Sequence, residues 1–180
     1  MISQSQLSGG AYQALRRVLD GHPLEPGQAH DLLGNDPHLI SALGLVADEL
    51  RQRHVGAEIT YVINRNINFT NVCIKQCGFC AFSRDYRTEQ AYFLPPEEID
   101  LRVSQAAALG ATEVCIQAGL PPKMDGWLYV NLTRNLKSKF PQIHLHAFSP
   151  EEVLYGSVRA KVSIEEYLQA LKQAGLDSLP

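Results

Sequence analysis

Two hydrophobic periods divide this chain. Over its first third, apolar residues recur every three to four positions. In "AYQALRRVLDG", Tyr12, Leu15, Val18 and Leu19 fall on one helical face, and Gly21 follows as a C-terminal stop. "HPLEPG" reads as a loop. "PHLISALGLVADELRQRHVG" is a second, longer helix with Leu39, Ile40, Leu43, Val46, Ala47 and Leu50 at helical spacing, stopped by Gly56.

Past residue 58 the pattern changes. "EITYVIN" is β-branched and aromatic and predicts a strand. "PPEEIDLRVSQAAALG" then predicts a helix, with prolines and acids at its start and Gly110 at its end. "TEVCIQ" is a second strand, "GWLYVNLTRNLKSKF" a helix and "IHLHAF" a third strand. "SIEEYLQALKQAG" is a further helix, with Ser163 and Glu166 as a capping box and Gly175 closing it. The chain therefore predicts a helical N-terminal extension over residues 1–58, then strand–helix repeated three times over 59–180. That alternation is the grammar of an α/β fold with a parallel sheet. A full eight-unit barrel needs ~250 residues. Three units make either an open sheet or part of a barrel, and "GLDSLP", which begins another connection, favours the partial barrel.

Composition narrows the function classes. The 180 residues are 45% hydrophobic, enough for a globular core, and carry a formal net charge of −3 without a run of Lys and Arg. Phosphate-backbone binding needs clustered cations, so nucleic acid is not the expected partner. "MISQSQLSGG" lacks a basic segment followed by an apolar core, and no apolar run is long enough to span a bilayer. The expectation is a cytoplasmic, soluble protein with no membrane partner. In a reducing compartment, clustered cysteines read as metal ligands or redox groups rather than disulfides.

Three of the four cysteines, Cys73, Cys77 and Cys80, crowd into "NFTNVCIKQCGFCAFSRD" as C-x-x-x-C-x-x-C. A structural zinc takes four ligands, and no fourth lies nearby in sequence. A thioredoxin-like pair would use Cys77 and Cys80 and leave Cys73 without a role. An iron–sulfur cluster held by three thiolates, with one iron open, uses all three and needs no fourth. This reading is favoured over the zinc and redox alternatives. Gly78 lets the backbone curl close to such a group, and Phe79 would shield it from water. The segment follows a predicted strand, and in parallel α/β folds the carboxyl ends of strands bind ligands.

The pattern C-x-x-x-C-x-aromatic-C after the first strand resembles the radical S-adenosylmethionine (radical SAM) enzymes. "NRNINFTNVCIKQCGFCAFSRDYRTEQAYFLPPEEI", "GATEVCIQAGLPPKMDGWLY" and "IHLHAFSPEEVLYGSV" narrow the resemblance to the second subunits of FO synthase, the 4-hydroxyphenyl transferase subunits of deazaflavin biosynthesis. The likeness is strong over 59–180 and weak before it. It implies a [4Fe–4S] cluster on Cys73, Cys77 and Cys80, with S-adenosyl-L-methionine on the open iron. It implies a radical that breaks the Cα–Cβ bond of L-tyrosine, and transfer of the 4-hydroxybenzyl group to 5-amino-6-(D-ribitylamino)uracil on the way to coenzyme F420. It also implies FO synthase subunit 1 as the next enzyme, and an electron donor. Two alternatives stand beside it: a menaquinone-pathway radical enzyme acting on a futalosine-type nucleoside, and a truncated, inactive fragment that binds a cluster without turnover.

By family position, Gln117-Ala118-Gly119 falls where radical enzymes carry a turn that meets the methionine amino group. Gln117 and Gly119 are the candidate S-adenosylmethionine contacts, although this turn lacks a carboxylate. In "IHLHAF" Ile143, Leu145 and Ala147 alternate with His144, His146 and Phe148, which sends the first set under helices and the histidines, with Phe148, to the opposite, interior face. His146, nearer the strand's carboxyl end, is the candidate catalytic group for substrate contact or proton transfer. His144 is expected to be structural. Cys115 is expected to be a small core residue. Asn64, Asn66 and Asn68 are expected to fix the loop by bonding its backbone, the alternative being that Asn68 or Thr70 helps hold substrate or the cluster loop. Arg84, Asp85 and Arg87 form either a mutual ion pair or a contact to a carboxylate or ribityl chain.

Overall fold

The structure is a computed structural model and describes residues 4–75 and 77–180. The chain divides into two compact units, one up to Thr60 and one from Tyr61 onward.

The first unit is helical. After a short 3-10 turn at Gln4–Gln6 come α1 (Gly9–Leu19), α2 (Pro26–Asp31) and α3 (Pro37–Val55). Ser8 caps α1 by accepting from the Ala11 amide, and Asp36 caps α3 by accepting from His38. Ala11, Ala14, Leu15, Leu32, Leu39, Ala42 and Val46 form its core. Helix α2 occupies part of the segment expected as loop. It starts on Pro26 behind a Glu25/Gln28 capping box but buries no residue, so it left no hydrophobic period to find.

The second unit is a three-stranded parallel sheet in sequential order, β1 (Asn64–Ile67), β2 (Glu113–Ile116) and β3 (His144–Ala147). Helix α4 (Pro96–Ala108) links β1 to β2, and α5 (Leu128–Lys139) links β2 to β3. Two helices follow β3: α6 (Pro150–Ala160) and α7 (Ile164–Ala174). The predicted α/β alternation holds, with two corrections.

The first strand is "NRNI", not "EITYVIN". Asn64 pairs with Glu113 and Ile67 with Ile116. The same register would set Tyr61 opposite Gly110, which turns the chain out of α4 at φ +83°. Strand β2 therefore has nothing to offer the residues before Ile63, and Tyr61 is 82% exposed. Propensity alone pointed to a segment with no partner.

Helix α6 had no assignment from sequence. Its start is well marked: Ser149 as N-cap, Pro150 at N1 and a Ser149/Glu152 capping box. Its buried face is Glu152, Val153, Gly156 and Ser157, so small and polar residues hid the apolar stripe. Gly156 is needed there, because a Cβ at that position would stand 2.4 Å from the Tyr167 hydroxyl.

The capping box of α7 forms as expected, Ser163 accepting from the Glu166 amide, and Gly175 ends the helix at φ +104°. Past α7, Ser178 makes a parallel bridge to His146, and the Ala147 amide donates to the Ser178 carbonyl at 3.0 Å. "GLDSLP" thus runs alongside β3 as the start of a fourth strand position.

The core lies between the sheet and its helices. Ile67, Val114, Ile116, Leu145 and Ala147 meet Val103, Tyr129, Leu136, Val153, Tyr167 and Leu171. Tyr167 is fully buried, and its hydroxyl donates to the Gly126 carbonyl at 2.6 Å. Among the described residues, no helix is long and apolar enough to cross a membrane. Tyr167→Phe should cost about 1–2 kcal/mol by stranding that carbonyl. Leu171→Ala should cost more, about 2–5 kcal/mol, by opening a cavity. Urea unfolding of both variants checks the order.

Candidate metal and cofactor site

The cysteine loop leaves the carboxyl end of β1 and is tied at its base by main chain. Val72 bridges Arg84, the Cys73 amide donates to the Arg84 carbonyl at 3.2 Å and the Arg84 amide to the Asn71 carbonyl at 2.8 Å. Side chains fasten the rest. Thr70 Oγ1 donates to the Tyr92 carbonyl and accepts from the Val72 amide. Asn71 donates to the Gln90 carbonyl and accepts from the Tyr92 amide. Asn68 Nδ2 donates to the Gln117 carbonyl at 2.6 Å. Asn68 thus holds backbone, as expected, whereas Asn64 and Asn66 bond the side chains of Glu113 and Asn68 instead; Thr70 fastens the cysteine loop, and Asn71, which sequence reasoning passed over, ties the start of that loop to Gln90 and Tyr92.

The segment after β2 packs directly on this base. Gly119 N–H donates to the Thr70 carbonyl at 2.9 Å, and the Ile74 amide donates to the Leu120 carbonyl at 2.9 Å. A Cβ on Gly119 would stand 2.2 Å from the Val72 carbonyl oxygen and 3.1 Å from Cys73 Cβ. Only a residue without a side chain allows this approach. Gly119 and Cys73 are therefore neighbours in space, and Gln117 reaches the loop through its carbonyl. Beside them, Val72, Tyr86, Phe93, Pro121, Pro122 and Lys123 line a cleft of about 360 Å³.

Cys73 is half-buried, Cys77 and Cys80 are exposed, and all are free thiols. Backbone amides of Ser83 and Phe82 donate to Cys80 and hold its pKa below the ordinary thiol value. Lys75, between Cys73 and Cys77, pairs with Glu151 at 2.7 Å, and that hydrogen bond is the main cause of its raised pKa. Among the described residues, no three Cys, His, Asp or Glu side chains converge tightly enough for a single metal ion. Three free thiols on one loop, anchored at the base and open at the tip, suit a larger group whose metal atoms are spread over its corners. Phe79 does not cover them in this fold: its ring is 101% exposed. Its neighbour Gly78 has nothing within 4 Å of a would-be Cβ, so the tip is not packed.

The sheet face away from the helices is polar, as the alternation in β3 predicted for the histidines, but Phe148 departs from it: just past the strand's end, at φ +64°, it turns into the core against Tyr129. Asn64 and Asn66, Glu113 and Cys115, and His144 and His146 lie along the polar face in register. Asn64 Nδ2 donates to Glu113 Oε1 at 3.1 Å, and Asn66 Nδ2 to Asn68 Oδ1 at 3.0 Å. His146 Nδ1 and His144 Nε2 each lie 2.7 Å from Ser178 Oγ. The hydroxyl carries a single hydrogen and two lone pairs, so at least one of the two rings must donate its N–H to it. Ser178 was not foreseen, because its place beside β3 arises only when the chain returns after α7. Cys115 is not a core residue. It sits half-buried on this polar face opposite Asn66 and His146, with its pKa raised by burial and then by Glu113.

Two further expectations change. Arg84, Asp85 and Arg87 form no mutual ion pair. Arg84 donates to the Ala81 and Ser83 carbonyls and to Gln90, while Arg87 donates to Tyr86 and its amide to Asp85. And the turn after β2 does meet a carboxylate, from elsewhere in the chain. Glu152, 2% exposed, accepts from the Ala118 amide at 3.0 Å.

The family model of the Radical SAM superfamily matches residues 67–180. The chain belongs to the radical SAM superfamily. It is 45% identical over 166 residues to the 5-amino-6-(D-ribitylamino)uracil–L-tyrosine 4-hydroxyphenyl transferase of Methanothermobacter thermautotrophicus, covering 92% of this chain and 45% of that one. It is 44% identical over 157 residues to the FO synthase of Streptomyces avermitilis, covering 87% of this chain and 18% of that one. This radical SAM chain thus spans less than half the length of the relatives it matches. Among solved structures it is similar to the FeFe-hydrogenase maturase HydG from Carboxydothermus hydrogenoformans, with a TM-score of 0.63 at 14% identity over 94% of this chain and 47% of that one. That likeness shows the fold, a partial radical SAM barrel. The superfamily implies a [4Fe–4S] cluster and S-adenosylmethionine.

Gly119→Ala should destabilise the chain by about 1–3 kcal/mol, because backbone must move to admit the methyl. Gly78→Ala should change stability by no more than about 0.5 kcal/mol. Thermal unfolding of the two variants side by side checks this.

Proposed function

We propose that this chain is the cluster-bearing part of a radical SAM transferase that moves a 4-hydroxybenzyl group from L-tyrosine to 5-amino-6-(D-ribitylamino)uracil. The observation that carries the reading is the 45% identity, across 92% of this chain, to a protein named for that transfer. The position of the three free thiols at the carboxyl end of β1 supports it.

Cys73, Cys77 and Cys80 would hold the cluster as thiolates. The amides of Ser83 and Phe82 that already favour the thiolate of Cys80 would keep favouring it on the metal. Held there, the cluster would supply one-electron reducing chemistry toward S-adenosylmethionine. The chain's own task is to bind, orient and exclude water. Gly119 and Gln117, beside Cys73, would meet the methionine end of the cofactor. His146, on the polar sheet face with one ring nitrogen engaged by Ser178, would contact substrate or move a proton with the other. FO synthase subunit 1 would take the product, and a separate electron donor would reduce the cluster.

Anaerobic reconstitution with iron and sulfide tests this. The expected result is about four iron per chain, with 5′-deoxyadenosine formed on adding reductant and S-adenosylmethionine. Tyrosine with the diaminouracil should be consumed, and a futalosine-type nucleoside should not. Cys77→Ala should lose the cluster signal, whereas Cys115→Ala should keep it. Absence of a cluster in the parent chain would sink the reading, and turnover of the nucleoside alone would replace it.

A further inference from the structure

Helices α6 and α7 both open with a serine and a glutamate three residues on. In α7, Glu166 Oε2 accepts from Ser163 N and Oγ at 2.8 Å each, and Glu166 is exposed. In α6, Glu152 Oε2 makes the same two contacts with Ser149 at 2.8 Å each, yet Glu152 is only 2% exposed. Capping therefore does not require a buried carboxylate, and burying one is costly unless its oxygens are well paired. The added contact in α6 is Oε1, which accepts from the Ala118 amide at 3.0 Å.

Ala118 precedes Gly119, whose backbone presses on Val72 and Cys73. Helix α6 grips this segment again where Tyr155 Oη donates to the Pro121 carbonyl at 2.6 Å. The segment in turn grips the cysteine loop at Thr70 and Ile74. A continuous run of contacts thus leads from the carboxylate of Glu152 to the first cysteine.

We propose that Glu152 is a positioning residue for the cluster: it fixes the Ala118–Gly119 turn against Val72 and Cys73, and so sets where the first thiolate stands. The cluster part of this rests on reading Cys73 as a ligand. Both oxygens of Glu152 face donors, so an amide in its place would point an NH₂ group at another donor. Glu152→Gln should therefore disturb the turn although it preserves shape. Glu152→Asp keeps a carboxylate for Ser149 but is one methylene too short to reach Ala118 as well. Ser149→Ala weakens the cap and leaves the Ala118 bond.

The test uses the full chain. Before reconstitution, pulsed iodoacetamide labelling with mass spectrometry reads each cysteine. Glu152→Gln and Glu152→Asp should raise the labelling rate of Cys73 about fivefold and leave exposed Cys77 and Cys80 alone, while Ser149→Ala should leave all three alone. After reconstitution, the electron paramagnetic resonance spectrum of the reduced cluster should shift in the Glu152 variants and not in Ser149→Ala. If Glu152→Gln fails to fold by near-ultraviolet circular dichroism, Glu152→Asp decides. A Cys73 rate that matches the parent, or an unchanged spectrum in a variant that has assembled its cluster, overturns the proposal. If the parent assembles no cluster, the functional reading fails, and the Cys73 rates still judge the role of Glu152 in the loop.

Discussion

Main chain meets main chain where Gly119 lies on Val72. Among the described residues, the segment from Asn68 to Phe93 contains no helix or strand of its own, so its ordering entropy must be offset by contacts at its ends. Those contacts are backbone amides and carbonyls, with Thr70 and Asn71 filling the gaps. The approach is close enough that a single methyl group would collide with the Val72 carbonyl. The base of the loop is thereby fixed to the end of β2, and the tip carrying Cys77 and Cys80 stays open. An anchored base with a free tip suits a loop whose thiolates must meet a group brought from outside.

The sheet divides labour between its faces. One face is apolar and sealed by helices, and each large side chain buried there contributes about 1.5–3 kcal/mol. That stability lets the other face keep Asn64, Asn66, Glu113, Cys115, His144 and His146, residues that add little to packing. Their hydrogen bonds run along the face, from Asn64 to Glu113 and from both histidines to Ser178. In parallel α/β folds ligands bind outside the carboxyl edge of such a sheet.

The strands β2 and β3 and the helices α3, α4, α5 and α7 were legible because pattern and end signals agreed. Gly110 and Gly175 closed helices that their apolar periods had already drawn. The misses have separate physical causes. "EITYVIN" has strand propensity, but the chain opposite it is the end of α4. Helix α6 buries Gly156 and Ser157, so its stripe is not apolar, and α2 buries nothing. At the site, the spacing of Cys73, Cys77 and Cys80 was plain, as was the turn over Ala118 and Gly119. Glu152 and Ser178 could not be read, since each acts on residues more than thirty positions away.

The sequence by itself determined the alternation of elements, the two faces of each strand and the family of the cysteine motif. These depend on local period and local spacing, which survive without knowing what lies beside them. Only the tertiary structure decided the pairing register, the burial of Glu152 against Ala118, the return of Ser178 to the histidines and the exposure of Phe79. Each of these is a contact between segments far apart in the chain. Its existence depends on which segments the fold brings together, and no local pattern records that.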